Sequence, residues 1–308
     1  MIRFAALGDS VTVGIGDPMP HGGWRGWAAL LAESLAPPGE AEFRNVSSSG
    51  AMTGDVTAEQ LPLALAARPT VASLLVGVND TLRGRFDLAE IAADVEKVVA
   101  ALRESGTIVL TATLPDPGVM LRIPKLFRRP LARRVHAINA VVEQLARDHG
   151  TIHLDLAGDP AIYDRSMWAR DRLHPSERGH RLLARMFAAV LVEHGVPVVA
   201  VPEPEARNPA PSIWTQVRWM STKGSLWMAK RSRDLFPKLL CLVASEWWHG
   251  VRGRTDVLDA RARAELAGVL GRLRAERPAA PLPAPGRITG QSDRNLGGDP
   301  GCDTVVAV

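Results

Sequence analysis

Short apolar segments that alternate with helical patterns constrain the fold of this chain more than any other feature. The clearest is residues 70–76, a nearly continuous apolar run that ends in Gly77-Val78-Asn79-Asp80. Such a run is typical of a strand buried on both faces, because a strand with one face in water alternates apolar and polar side chains. Strands that alternate with helices predict a parallel sheet with helices on both faces.

The same pattern recurs along the first two-thirds of the chain. The predicted strands are residues 2–7, 42–46, 70–76, 107–113 and 151–156. The predicted helices are residues 24–35, 87–103, 131–147 and 175–193, with a further helix opened by a capping box of Thr57 and Gln60. We expect an α/β, flavodoxin-like fold with a five-stranded parallel sheet of order 2-1-3-4-5. Ligands of such sheets bind beyond the carboxyl ends of the strands.

Candidate catalytic residues follow the predicted strands at that edge. Ser10 follows the first strand, Gly50 the second and Asn79 the third. A serine needs a base, a group that orients the base, and donors for the oxyanion. Asp171, three residues before His174, can accept from Nδ1 of His174 and leave Nε2 facing Ser10. The N–H groups of Ser10 and Gly50 and the amide of Asn79 supply three oxyanion donors.

Each of these residues also has an ordinary structural role. A serine after a strand commonly forms a turn or caps a helix, and Asn79 with Asp80 would suit a simple turn. Asp171 could cap the following helix and leave His174 at the surface, since Pro175 suits the start of a helix. The order and spacing of the segments together favour the catalytic interpretation.

Four segments, in this order, resemble the sequence blocks of the SGNH (GDSL) hydrolases. They are Gly8-Asp9-Ser10-Val11, Asn45-Val46-Ser47-Ser48-Ser49-Gly50, Gly77-Val78-Asn79-Asp80 and Asp171-Arg172-Leu173-His174-Pro175. Val11 departs from the usual leucine or isoleucine. The resemblance covers residues 1–196 and implies a three-layer α/β/α fold. It also implies that Ser10 is the nucleophile, that Gly50 and Asn79 complete the oxyanion hole, and that Asp171 and His174 finish the triad.

The family acts on esters, thioesters and acetylated sugars. The resemblance therefore implies a serine-dependent hydrolase of carboxylic esters that works through an acyl-enzyme, with a small-molecule ester as its partner. An acyltransferase or thioesterase with the same triad is the first alternative. A non-enzymatic module that binds lipid or nucleic acid is the alternative of another class.

Composition changes after about residue 200. Residues 197–211 contain five prolines. Residues 205–277 hold 14 basic and 7 acidic side chains, against 21 basic and 23 acidic in residues 1–204. We expect a hydrolase domain over residues 1–200, a basic Trp-rich helical extension over 201–277 and a disordered tail over 278–308. The extension, with a helix over about 257–277, is interpreted as an added helical layer, and a membrane-surface element is the alternative.

A basic segment after the fourth predicted strand has two interpretations. Residues 119–127 interleave apolar side chains with Arg122 and Lys125. Further arginines follow: Arg128, Arg129, Arg133 and Arg134. The segment is either a cationic rim that contacts the acyl group and favours anionic substrates, or a basic loop packed on the extension.

No cofactor or metal is expected from the sequence. Gly14-Ile15-Gly16 lacks the third glycine of a dinucleotide loop. The close pair of His149 and His153 straddles a predicted break at Gly150, which disfavours a shared metal. The positive charge has no accompanying nucleic-acid reading motif, so nucleic acid is not favoured as a partner.

The cellular compartment is predicted from the first residues and from the length of the apolar runs. A cleaved secretory signal would remove Ser10, and no apolar run reaches the length of about 18 residues that a membrane span needs. Two cysteines, Cys241 and Cys302, are interpreted as free thiols. We expect a cytoplasmic protein.

Overall fold

A five-stranded parallel sheet forms the centre of the molecule in its computed structural model. The structure describes residues 1–120, 125–169, 171–207, 244 and 246–276. The strands are β1 (Ile2–Gly8), β2 (Ala41–Asn45), β3 (Val71–Leu75), β4 (Ile108–Ala112) and β5 (Ile152–Leu154). Their order is β2-β1-β3-β4-β5, with all neighbours parallel, which confirms the predicted topology.

The helices of the described residues surround this sheet. They are α1 (Ser10–Val13), α2 (Gly26–Leu35), α3 (Thr53–Asp55), α4 (Leu61–Ala66), α5 (Val78–Leu82), α6 (Leu88–Glu104), α7 (Pro117–Met120), α8 (Lys125–His149), α9 (Glu177–Glu193) and α10 (Thr255–Ala275). Residues 246–251 are also helical. Short 3₁₀ turns, Pro160–Tyr163 and Arg165–Met167, follow β5.

Two separate cores lie on the two faces of the sheet. Successive side chains of a strand point to opposite faces, and β1 follows this rule: Phe4 and Ala6 join one core, Ala5 and Leu7 the other. Helices α2 and α9 cover the Phe4 face, whereas α6 and α8 cover the opposite face. These layers confirm the three-layer α/β/α fold.

Helix α10 belongs to the predicted extension and adds a layer outside α6 and α8. Val269 and Leu273 of α10 are buried in the core of that face. The helix lies close to its predicted range of 257–277. The domain boundaries at residues 200 and 277 stay predictions, and residues 208–243 and 277–308 lie outside the described part of the chain.

The predicted capping box of Thr57 and Gln60 is wrong. The helix begins earlier, at Thr53, and both residues lie in a π-helical turn, Val56–Gln60. Gln60 is buried, and its amide binds both the N–H and the C=O of Gly8, at 2.8 and 2.9 Å. Buried backbone groups need partners, and Gln60 supplies them at the end of β1.

The predicted loop after β4 is largely helical. Helix α7 occupies Pro117–Met120, and α8 begins at Lys125 rather than near residue 131. Residues 121–124 lie outside the described part of the chain. Proline commonly disrupts helix interiors, but α8 continues through Pro130, which directly precedes the predicted start.

Candidate active site

Ser10 lies at the carboxyl end of β1, an interior strand of the sheet. Strand β1 ends at Gly8, Asp9 caps α1, and Ser10 is the first residue of that helix. A side chain at Gly8 would place its Cβ 2.3 Å from the carbonyl oxygen of Leu75. Glycine is therefore required where the chain turns from β1 into the helix that carries Ser10.

Ser10, His174 and Asp171 form one hydrogen-bonded chain. The Nε2 atom of His174 lies 2.9 Å from Ser10 Oγ, and its Nδ1 atom lies 2.7 Å from Asp171 Oδ2. Asp171 Oδ1 accepts from the backbone N–H groups of Leu173 and His174. Burial raises the pKa of Asp171, but these hydrogen bonds, led by the one from the His174 ring, outweigh it and hold the pKa below its ordinary value. Asp171 is therefore an anionic acceptor for Nδ1–H at neutral pH.

The loop that carries His174 is packed tightly against the loop after α1. A side chain at Gly16 would place its Cβ 1.9 Å from the carbonyl oxygen of Pro175. His180 accepts from the backbone N–H of Trp27 through Nδ1 and contacts the carbonyl of Ile15 through Nε2, at 3.2 and 3.0 Å. Burial lowers the pKa of His180 to about 4, so its ring is neutral and has a packing role.

A buried ionic network continues from this loop. Glu177 accepts from Arg25 at 2.9 Å and from Arg181 at 3.0 Å, and Arg25 also binds Asp17. The backbone N–H of Arg207 donates to the same Glu177 oxygen. These contacts were not predicted, because the partners are far apart in the sequence and no motif joins them.

Gly50 follows β2 and Asn79 follows β3, the two strands that flank the strand leading to Ser10. Gly50 has φ +86, a conformation that favours glycine. The Nδ2 atom of Asn79 lies 3.0 Å from the carbonyl oxygen of Ala51 and 3.4 Å from Asp9 Oδ2. In the described residues, the N–H groups of Ser10 and Gly50 have no hydrogen-bond acceptor.

Asp80 attaches the Gly50 segment to the Asn79 helix. Its buried carboxylate accepts from the backbone N–H and the hydroxyl of Thr53, at 3.2 and 2.9 Å to Oδ1. Burial raises the pKa of Asp80, and the bonds from Thr53 act in the opposite direction. The role of a simple turn pair therefore does not describe Asn79 and Asp80 fully, because Asp80 holds two loops together.

An apolar cleft opens beside Ser10. Ser10 and Asn79 lie at its wall, and it encloses about 900 Å³, including the part open to solvent. Buried side chains form one part of the lining: Leu75, Leu156, Ile162 and Leu183. Partly exposed side chains, Leu82 and Met120, form another. The cleft suits an apolar group attached to a carbonyl at Ser10.

The four arginines proposed as a cationic rim all make internal contacts: Arg128, Arg129, Arg133 and Arg134. The first pairs with Asp116 at 3.3 Å. The next two pair with Asp259 of α10 and with Glu246. Arg134 donates to the carbonyls of Thr81 and Arg83. This pattern favours the alternative of a basic segment packed on the extension.

The described part of the chain contains neither a metal-binding cluster nor a membrane-spanning helix. Within it, no cluster of three His, Cys, Asp or Glu side chains is placed to hold a metal ion. No described helix is long and apolar enough to cross a membrane. Trp247 and Trp248 of the extension are described and exposed. The remaining tryptophans of the extension and both cysteines lie outside the described residues: Trp214, Trp219, Trp227, Cys241 and Cys302.

The model of the GDSL-like lipase/acylhydrolase family matches residues 6–182. The chain belongs to this family. The match contains all five candidate residues and confirms the resemblance seen in the sequence. Membership makes the chain a carboxylic ester hydrolase.

Individual proteins of known sequence or structure are similar to this chain. An acetylxylan esterase from Geobacillus stearothermophilus is 26% identical over 202 residues, which cover 59% of this chain and 90% of the relative. The structure of LAE5, an α/β hydrolase from the metagenome of Lake Arreo, Spain, matches with a TM-score of 0.50 and 21% identity, over 61% of this chain and 94% of that one. A catalytic mutant of the acetylxylan esterase Axe2 from Geobacillus stearothermophilus gives the same TM-score and identity, over 62% and 94%. Both structures show the fold.

Proposed function

We propose that this GDSL-family hydrolase cleaves carboxylic esters with Ser10 as nucleophile, His174 as general base and Asp171 as the group that orients the base. The observation that carries the proposal is the hydrogen-bonded chain from Ser10 Oγ through both ring nitrogens of His174 to Asp171, with distances of 2.9 and 2.7 Å. This is the geometry that activates a serine hydroxyl at neutral pH.

The reaction proceeds in two halves. His174 Nε2 takes the hydroxyl proton as Ser10 Oγ attacks the ester carbonyl, and the tetrahedral intermediate then releases the alcohol, which receives that proton from His174. The acyl group stays on Ser10 as an ester. Water then attacks this acyl-enzyme while His174 takes a proton from the water, and the carboxylic acid leaves as Ser10 recovers its proton.

The oxyanion of each tetrahedral intermediate needs preorganised donors. The N–H groups of Ser10 and Gly50 and the Nδ2 group of Asn79 fill this role in the proposal. The two backbone groups have no competing acceptor among the described residues. Loss of one such donor typically lowers kcat by a factor on the order of 10²–10³.

The substrate in this proposal is a small-molecule ester with an apolar acyl group. The support is the cleft beside Ser10, whose lining is dominated by leucine and other apolar side chains. Two of the relatives are acetylxylan esterases, but a sugar needs several polar partners, and the lining offers few besides Asp9, Asn79 and Thr113. The acyl group is therefore the part of the substrate that the cleft selects.

The test is replacement of the nucleophile. Ser10→Ala should lower hydrolysis of p-nitrophenyl esters by at least about 10⁴-fold and abolish labelling by a fluorophosphonate probe, because both need the Ser10 hydroxyl. Ser105→Ala, at the end of α6 and away from the site, is the matched control. Full activity of Ser10→Ala would refute the proposal. Product analysis with an added alcohol tells hydrolysis from acyl transfer, since an ester product would favour the transferase.

A further inference from the structure

Asp9 is a buried carboxylate beside the nucleophile that the triad does not use. Its side chain is 4% exposed, and it directly precedes Ser10. The triad already has its acid in Asp171. A buried carboxylate is costly unless its contacts compensate for the loss of water, so the contacts of Asp9 indicate its role.

The two oxygens of Asp9 contact two different parts of the site. Oδ1 accepts from the backbone N–H of Val11 at 2.9 Å and caps α1. Helix α1 has four residues and begins with Ser10, so it is too short to be held by its own hydrogen bonds. Oδ2 lies 3.4 Å from Nδ2 of Asn79, whose amide is also fixed by the carbonyl of Ala51.

We propose that ionised Asp9 is a positioning residue that holds Ser10 and the Asn79 amide in register for attack and oxyanion binding. This inference rests on the proposed roles of Ser10 and Asn79. The contact with Asn79 is long, so the same Nδ2 hydrogen can turn from Asp9 to a substrate oxyanion. The bond to Ala51 keeps the amide plane in place while this happens.

Charge on Asp9 also affects His174. In the described residues, the ionisable groups that act on Asp9 are His174, whose protonated form stabilises the carboxylate, and Asp80, which opposes it. The interaction is reciprocal, so ionised Asp9 stabilises the imidazolium that forms when His174 takes the Ser10 proton. Protonated Asp9 loses this effect and its strength as an acceptor.

The inference has a consequence for pH. Burial raises the pKa of Asp9 to about 6, so the ionised form is lost as pH falls through about 6. Catalysis also needs neutral His174. Full activity then needs both groups deprotonated, so log(kcat/KM) should fall below about pH 6 with a slope between 1 and 2, whereas one required group gives a slope of 1.

Asp9→Asn tests the inference. Asparagine still caps a helix, so α1 is retained, but it carries no charge and cannot offer an anionic oxygen to Asn79. We expect kcat to fall about 10- to 100-fold with KM changed less than about threefold, and the acid slope to change from above 1 to 1. Asp87→Asn, which alters the cap of α6 away from the site, should leave both kcat and the slope unchanged.

Two results would overturn the inference. One is an acid slope of 1 for the wild-type protein, measured from the pH dependence of the rate of fluorophosphonate labelling. This measurement uses no variant, so it does not depend on whether a variant folds. The other is a slope above 1 that persists in Asp9→Asn. Ser10→Ala tells the two proposals apart: if it stays active, the proposed function fails, whereas if it is inactive and Asp9→Asn behaves like wild type, only the role of Asp9 fails.

Discussion

The apolar cleft beside Ser10 predicts how the rate depends on the length of the acyl group. Burial of one methylene contributes about 0.8 kcal/mol, and 1.36 kcal/mol changes a rate tenfold, so each methylene that the cleft removes from water should raise kcat/KM about fourfold. Hexanoate has four methylenes more than acetate, which gives a ratio of about 200 as an upper limit. The increase should stop when the chain reaches the buried side chains of the lining.

Ile162→Val tests whether Ile162 sets this limit on acyl length. Ile162 is 5% exposed and lines the cleft, so the variant enlarges the cleft by one methylene and should move the best acyl length upward by about one carbon. Ile91→Val is the matched control, because Ile91 is equally buried but lies in the core of the other face. Both variants should lose about 1 kcal/mol of stability, and only Ile162→Val should change the preference.

The assay is kcat/KM for p-nitrophenyl esters from acetate to decanoate, below their micellar concentrations. A second series keeps the acetyl group and lengthens the alcohol. A rate that is flat or falls from acetate would refute the assignment of the cleft to the acyl group. A rise confined to the alcohol series would assign the cleft to the leaving group instead.

Two further predictions concern the base and the extension. Asp171→Asn should lower kcat by about 10³- to 10⁴-fold with little change in KM, because the amide no longer fixes the tautomer of His174; a loss of less than tenfold in steady-state assays would contradict the role of Asp171. Asp259→Ala removes a partner of Arg133 on α10 and should lower the free energy of unfolding by about 1 kcal/mol in denaturant titrations, with kcat unchanged. A fall in kcat with unaltered stability would instead connect this contact to the site.

The fold could be predicted from the sequence because its signals are local. The interior strands β1, β3 and β4 are short apolar runs, and the crossover rule for parallel strands restricts their order. The candidate residues could be placed for the same reason, since Ser10 and Asn79 each follow a strand at one edge and His174 lies on the loop after the last strand. Proximity to a strand end is a property of the sequence itself.

Contacts between distant side chains could not be predicted in this way. Gln60 fits a capping box by spacing, but its buried amide satisfies Gly8 across the fold. The arginines of α8 gave no sign of their partners, because Asp259 lies more than a hundred residues later. In the sequence, Asp9 appears only as part of the block that carries Ser10. Its role depends on its distance to Asn79, which no sequence spacing reveals.

The nucleophile and the base are supported by elements of unequal stability. Ser10 follows β1, a strand paired on both sides, whereas His174 lies on a long irregular loop held by its neighbours through Gly16, His180 and Glu177. Local opening of such a loop costs less free energy than unfolding of the sheet. On heating, turnover should therefore cease several degrees before the circular dichroism of the strands and helices changes, and cooling from that interval should restore it.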